Sequence, residues 1–543
     1  MKRLVAVAVL ALSAFAWPAA AAHADTYTET LCQARPFLCV DPYHSIGAHG
    51  EYTGHDEPSV LFYSRRPGTG NDLTYTMKLP KNPPTKPNQA GTAGTFDFQL
   101  RATFWLGLTM CDSQSSPNFT HTCKADSDRN ARFTSTNPNS PRYLGKHPGQ
   151  AYMELQFYEP SYIPQFDGFG CSPTKWCANL TIDSLSDQDN TGVQQNADCL
   201  SNPNNFLVGE EPINWAYITK SGKSQAPANP LALSHDPNET GLRPDLKKDL
   251  LMSSGDTIRI HMHDTPAGFR VDIKDLTTGG TGSMTASKAN GFGQVLFQPN
   301  AKTCHVRPYA FHPEYSSAVR RGTTWGAHTY NVAASDEIGH FEYCNAIDPS
   351  TGACTSPAGG DTTVDADDQF CLDGANYFGA IPIKGCFLDD GDFDGPSYKL
   401  DWPGTFANPA ADRKVHPTPM RFTVPTSAGR ALEKVAFETD MARIERGEPG
   451  NPPVQCDGPT GANCVNPPPG AQFYPIYSLT NNGGRCMFQQ GGTHIPGTTN
   501  LFGGSSKTEY GKLLFVTYPN VGFTTIRLAE DFHRDLGGNP CSS

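Results

Sequence analysis

The sequence predicts an all-β protein, mainly antiparallel, folded as a sandwich. Three observations predict it. Short runs of alternating polar and apolar residues recur between Gly, Pro, Asn and Asp clusters. Helical periodicity is scarce. The chain carries 52 Gly and 46 Pro in 543 residues, spread without a period, while 30 Phe and 20 Tyr supply core material. That composition suits a folded, turn-rich protein better than a disordered one.

The elements follow in chain order. Lys2 and Arg3 precede an apolar run over 4–17, and Ala22-His23-Ala24 has the small-x-small form of a signal-peptidase site. Residues 1–24 are therefore expected to be an export signal. The mature chain is expected to be secreted, with no membrane span. Residues 95–106 and 151–158 read as strands. The clearest stretch is 256–297. There Thr257 to His263 alternates, Thr265-Pro266-Ala267-Gly268 is turn chemistry, and Phe269 to Leu276 alternates again. Residues 282–287 and 293–297 supply further strands of this meander, and 325–343 reads as one or two more. The sandwich is placed at about 40–345, with long loops over 107–148 and 159–210. Residues 346–470 read as an Asp-, Gly- and Pro-rich loop region. Within them, 430–446 suits helix by content and strand by alternation. Residues 471–543 form a C-terminal segment, with a strand over 512–518 and a short helix over 528–536. Whether this segment is a separate unit or returns to the sandwich stays open.

Ser254-Gly255-Asp256-Thr257-Ile258, Gly268-Phe269-Arg270-Val271-Asp272-Ile273 and Asp275-Leu276-Thr277-Thr278-Gly279 resemble strands of concanavalin A-like sandwiches. That is the jelly-roll β-sandwich of many lectins, glucanases and glutamic peptidases. The resemblance covers about 40 residues, and a pattern of this kind speaks to fold more than to function. It implies a jelly-roll sandwich with long disulfide-pinned loops and a loop-rich C-terminal extension. The rest of the chain looks like an uncharacterised family of exported bacterial proteins.

The 16 cysteines lie outside residues 1–24, an even number that in an exported chain implies a disulfide framework. Close spacing suggests Cys32–Cys39, Cys111–Cys123 and Cys456–Cys464, and Cys486–Cys541 would tie down the C-terminus. The whole chain carries 42 Lys and Arg against 54 Asp and Glu, a formal charge of −12. Such a surface repels nucleic acid, which excludes that partner class.

Several residue groups carry candidate chemistry. Asp390-Gly391-Asp392-Phe393-Asp394-Gly395, with Asp401 following, matches a calcium loop in which alternate carboxylates converge on a hard cation. Asp401 is one carbon shorter than the Glu that usually closes such a loop. His261 and His263 share a strand face, and with His340 they form a candidate transition-metal set. His312 and His328 are further options. Glu154, on one face with Tyr152 and Gln156, is the candidate catalytic carboxylate, and Glu337 its partner, because sugar hydrolysis needs two carboxyl groups. The Glu-x-Asp-x-x-Glu run of β-glucanases is missing from the sequence. Gln156 beside Glu154 also touches the glutamic-peptidase pattern, without the framing that would establish it. Trp325 is the aromatic singled out to stack on a sugar, whereas Trp105 reads as core. Asn118, Asn179 and Asn238 stand in glycosylation sequons.

The leading expectation is a secreted carbohydrate-binding or carbohydrate-active protein facing an extracellular polysaccharide. The alternatives are a non-catalytic extracellular protein stabilised by calcium and disulfides, and a His-ligated metal-dependent enzyme.

Overall fold

A computed structural model describes most of residues 59–84, 103–115, 150–160, 171–184, 193–313, 323–330, 344–347, 354–357, 417–442, 477–490, 513–517 and 526–535, with Lys414 and Cys541. In chain order β1 is Ser59–Ser64, β2 Asp72–Lys78, β3 Thr103–Cys111, β4 Gln150–Tyr158, β5 Cys177–Ser184, β6 Leu207–Val208 and β7 Glu211–Tyr217. The central meander holds β8 Thr257–Thr265, β9 Gly268–Asp275, β10 Thr281–Thr285, β11 Gly293–Val295 and β12 Val306–Pro308. Then come β13 Thr323–Tyr330, β14 Cys344–Ile347, β15 Cys354–Pro357, β16 Arg421–Phe422, β17 Thr426–Ser427, β18 Arg430–Ala431 and β19 Lys434–Ala442. The last are β20 Tyr477–Asn482, β21 Arg485–Gln490, β22 Leu513–Thr517 and β23 Ile526–Asp535.

Two large sheets result. The first runs β22-β23-β19-β1-β13-β3-β4-β5-β7-β6. The second runs β10-β9-β8-β2-β16-β21-β20, with β17 and β18 attached beside β2. The pairings between these strands are antiparallel, for example β3 with β4 and β8 with β9.

Alternation explains why the sheets stack. Leu73, Tyr75 and Met77 of β2, Ile258, Ile260 and Met262 of β8, and Phe269, Val271 and Ile273 of β9 are buried on one face of the second sheet. Leu106, Leu108 and Met110 of β3, Met153, Leu155 and Phe157 of β4, and Ala178, Leu180 and Ile182 of β5 come from the first. All belong to one continuous core. Removing each Leu, Ile, Val, Met or Phe side chain among them from water contributes about 1.5–3 kcal/mol. Phe62 of β1 meets Phe488 of β21 edge-on at 4.9 Å and Phe422 of β16 at 6.3 Å, so aromatic rings join sheet to sheet.

The hairpin from β8 to β9 turns where its sequence says it should. The Thr265 hydroxyl donates to the Gly268 carbonyl at 2.6 Å. Gly268 has φ +136°, and a Cβ there would strike the Ala286 carbonyl. After β9, the Asp275 carboxylate accepts from the Thr277 and Thr278 backbone N–H groups at 2.8 and 3.1 Å.

The sheets do not stop near residue 345. β16, β20 and β21 sit in the second sheet, and β19, β22 and β23 in the first. Of the two possibilities for the C-terminal segment, return to the sandwich is the one the pairing shows. Residues 434–442 take the strand alternative. The expected helix over 528–536 is instead strand β23, paired with β19 on one side and β22 on the other. Its Leu, Ala, Glu and Arg content favours helix locally, but ladders on both edges outweigh a preference of a few tenths of a kcal/mol per residue, on the order of 0.5.

Cys486–Cys541 ties the C-terminus to β21. Two further bridges, Cys171–Cys177 and Cys199–Cys304, were not anticipated from spacing. Cys111 is disulfide-bonded as well. Cys32, Cys39, Cys123, Cys456 and Cys464 lie outside the described residues. No helix among the described residues is long and apolar enough to cross a membrane.

Candidate functional site

Over β4, β5 and β7 the first sheet is unusual because its second face, away from the core, is also largely buried. Strand parity builds that face. With Met153, Leu155 and Phe157 turned to the core, Tyr152, Glu154, Gln156 and Tyr158 of β4 must face the other way. In register, Glu154 stands opposite Gly107 and Thr181, and Gln156 opposite Trp105 and Asn179. Trp215 and Tyr217 of β7 follow beside Thr181 and Asn179. Trp105 stands in register opposite Gln156.

These polar groups are packed out of water. Glu154 is 2 % exposed and Asn179 0 %. Gln156 Nε2 donates to Glu154 Oε2 at 2.7 Å, and the Tyr158 hydroxyl donates to Gln156 Oε1. The Thr181 hydroxyl donates to Asn179 Oδ1 at 2.7 Å. Among the described residues, neither Asn179 Nδ2 nor Asp183 Oδ1 has a hydrogen-bond partner. Asp183, partly exposed at the end of β5, shares a hydrogen bond with Glu154. Burial drives its pKa well above the usual carboxylate range, and the bond with Glu154 opposes that rise.

One end of this face is roofed. Trp215 and Tyr217 pack with Leu233, Leu242 and the Cys171–Cys177 bridge, and the Tyr217 hydroxyl donates to the Leu242 carbonyl at 3.0 Å. The Tyr152 ring lies over Gly107, in the space a Cβ would need. Of the sequon residues, Asn179 is sealed within β5, whereas Asn238 is exposed.

The structure thus sets Glu154 beside Asp183, a residue the sequence reading passed over. The alternation of Thr181-Ile182-Asp183 was the available signal. Glu337, His340, Asp390, Asp392, Asp394 and Asp401 lie outside the described residues. Trp325 stands in register opposite Phe62 and Leu108, both core residues.

His261 and His263 do share a face, on the outer side of the second sheet. Their rings stack with centroids 4.2 Å apart and planes 6° apart. His261 Nε2 lies 2.8 Å from Asp72 Oδ1, and His263 Nε2 2.9 Å from Asp272 Oδ2. His312 pairs elsewhere, with Asp264 at 2.7 Å, and His328 belongs to β13 in the other sheet.

Comparison with protein-family models, with curated proteins and with solved structures finds no match to this chain.

Proposed function

We propose that this is an exported carbohydrate-active protein on a concanavalin A-like jelly-roll scaffold, with Glu154 and Asp183 as its acid–base group. The observation that carries the reading is the pairing of buried Glu154 with half-buried Asp183. A carboxyl held protonated toward neutral pH, beside a second carboxyl that receives or returns its proton, is suited to proton transfer. Gln156 fixes Glu154 from the other side.

The spacing limits the chemistry. Two-carboxylate glycosidases keep their groups roughly 5–9.5 Å apart, and this pair is in hydrogen-bond contact. It therefore acts as one proton-transfer unit rather than as separate nucleophile and acid.

The test is a panel of insoluble polysaccharides, scored for retention and then for release of reducing ends. Retention with release supports the reading, and Glu154→Gln and Asp183→Asn should each lower release by about a hundredfold or more. Retention without release would make the protein a binder. Neither retention nor release would abandon the carbohydrate reading in favour of the non-catalytic one.

A further inference from the structure

A second group of side chains, on the opposite sheet, has the donors of a metal site. β8 sits between β2 and β9, so its outward side chains are flanked on both sides. His261 is in register with Thr74 and Asp272, and His263 with Asp72 and Arg270. Successive odd positions of β8 present both imidazoles from a backbone held by ladders on two edges. One ligand atom each from His261, His263 and Asp272 lies within 4.8 Å of the others. The three side chains are 38, 26 and 37 % exposed, open enough for an ion to reach them.

We propose that His261, His263 and Asp272 bind one borderline divalent ion of the zinc or copper class. Imidazole nitrogen with one carboxylate oxygen is a donor set that suits such ions and serves calcium or magnesium poorly. The distances are near those required. Two ligands about 2.0–2.1 Å from a tetrahedral ion stand roughly 3.3 Å apart. His263 Nε2 and Asp272 Oδ2, at 2.9 Å, need open by only a few tenths of an ångström. The stacked rings need to pivot inward at their Nε2 ends, with each ring proton moved to Nδ1. The ion then takes the place of the hydrogen now bridging imidazole and carboxylate. Asp72, 2.8 Å from His261 Nε2, is a carboxylate available for the fourth position.

One group opposes the ion. Arg270 holds Asp272 through Nε at 3.0 and 2.9 Å and through Nη2 at 2.7 Å, so a cation already sits on this carboxylate. The same Nη2 also donates to the Ser283 hydroxyl at 2.9 Å, an anchor that remains if the guanidinium swings off Asp272. Arg270 is therefore a competitor of the metal, and that gives the proposal a signature that a purely structural His–Asp pairing would not show.

The experiment titrates the full chelator-treated chain with Zn²⁺ by calorimetry, in excess calcium so that any hard-cation site is filled. One Zn²⁺ per chain is expected. The His261→Gln/His263→Gln double variant should lose it, Asp272→Asn should weaken it about ten- to a hundredfold, and Arg270→Gln should tighten it. Copper titrated into the wild-type chain should give an electron paramagnetic resonance spectrum with two coordinated nitrogens, a readout that needs no variant to fold. Absence of Zn²⁺ binding, wild-type affinity in the double variant, or a copper spectrum without nitrogen coupling each overturns the proposal.

Discussion

Phe62 is the most direct probe of how the two sheets are joined. Its ring is fully buried, edge-on to Phe488 at 4.9 Å, and Phe488 is itself stacked near Phe422 at 5.7 Å. Phe62→Leu keeps an apolar side chain but removes the ring edge. Lost transfer energy and lost ring contacts together come to about 1–3 kcal/mol. Phe488→Leu should cost a similar amount. Because the rings touch, the losses overlap, and the double variant should fall short of the sum by about 0.5–1.5 kcal/mol. The assay is urea unfolding of the oxidised chain followed by tryptophan fluorescence, with all four members of the cycle at one pH. Single losses that add to within about 0.3 kcal/mol would show that the residues are not in contact. The joining of β1 to β21 across the core would then be wrong.

Two further outcomes follow from other buried groups. Asp249 is 0 % exposed, and burial lifts its carboxyl from 3.8 to about 7, against the Asp245 backbone N–H that donates to it at 2.7 Å. The native state keeps this proton where the unfolded chain has lost it. Its contribution is therefore complete below pH 3.8 and fades as pH rises toward 7, a span worth on the order of 4 kcal/mol. Asp249→Asn should flatten that part of the stability curve between pH 4 and 7, and an unchanged slope would remove Asp249 as its source. Gly107→Ala should destabilise by about 1–3 kcal/mol, because the new methyl meets the Tyr152 ring. Adding Tyr152→Leu should restore part of the loss in thermal melts, and no rescue would mean that the ring is not the obstacle.

The sequence by itself carried the local information. Alternation gave β4, β8 and β9 to within a residue or two, and turn chemistry gave the hairpin at Thr265–Gly268, because a side-chain period of two and a glycine at positive φ are properties of neighbouring residues. It also put Glu154 beside Gln156 and His261 beside His263 for the same reason. Only the tertiary structure decided what depends on partners far along the chain: Asp183 against Glu154 and Asp272 against His263 come from neighbouring strands, and Cys199 finds Cys304 across 105 residues. Strand β23 shows the cause most plainly. Its residues favour helix when taken alone, and it became a strand because β19 and β22 offered a ladder on each edge, a circumstance no local pattern records.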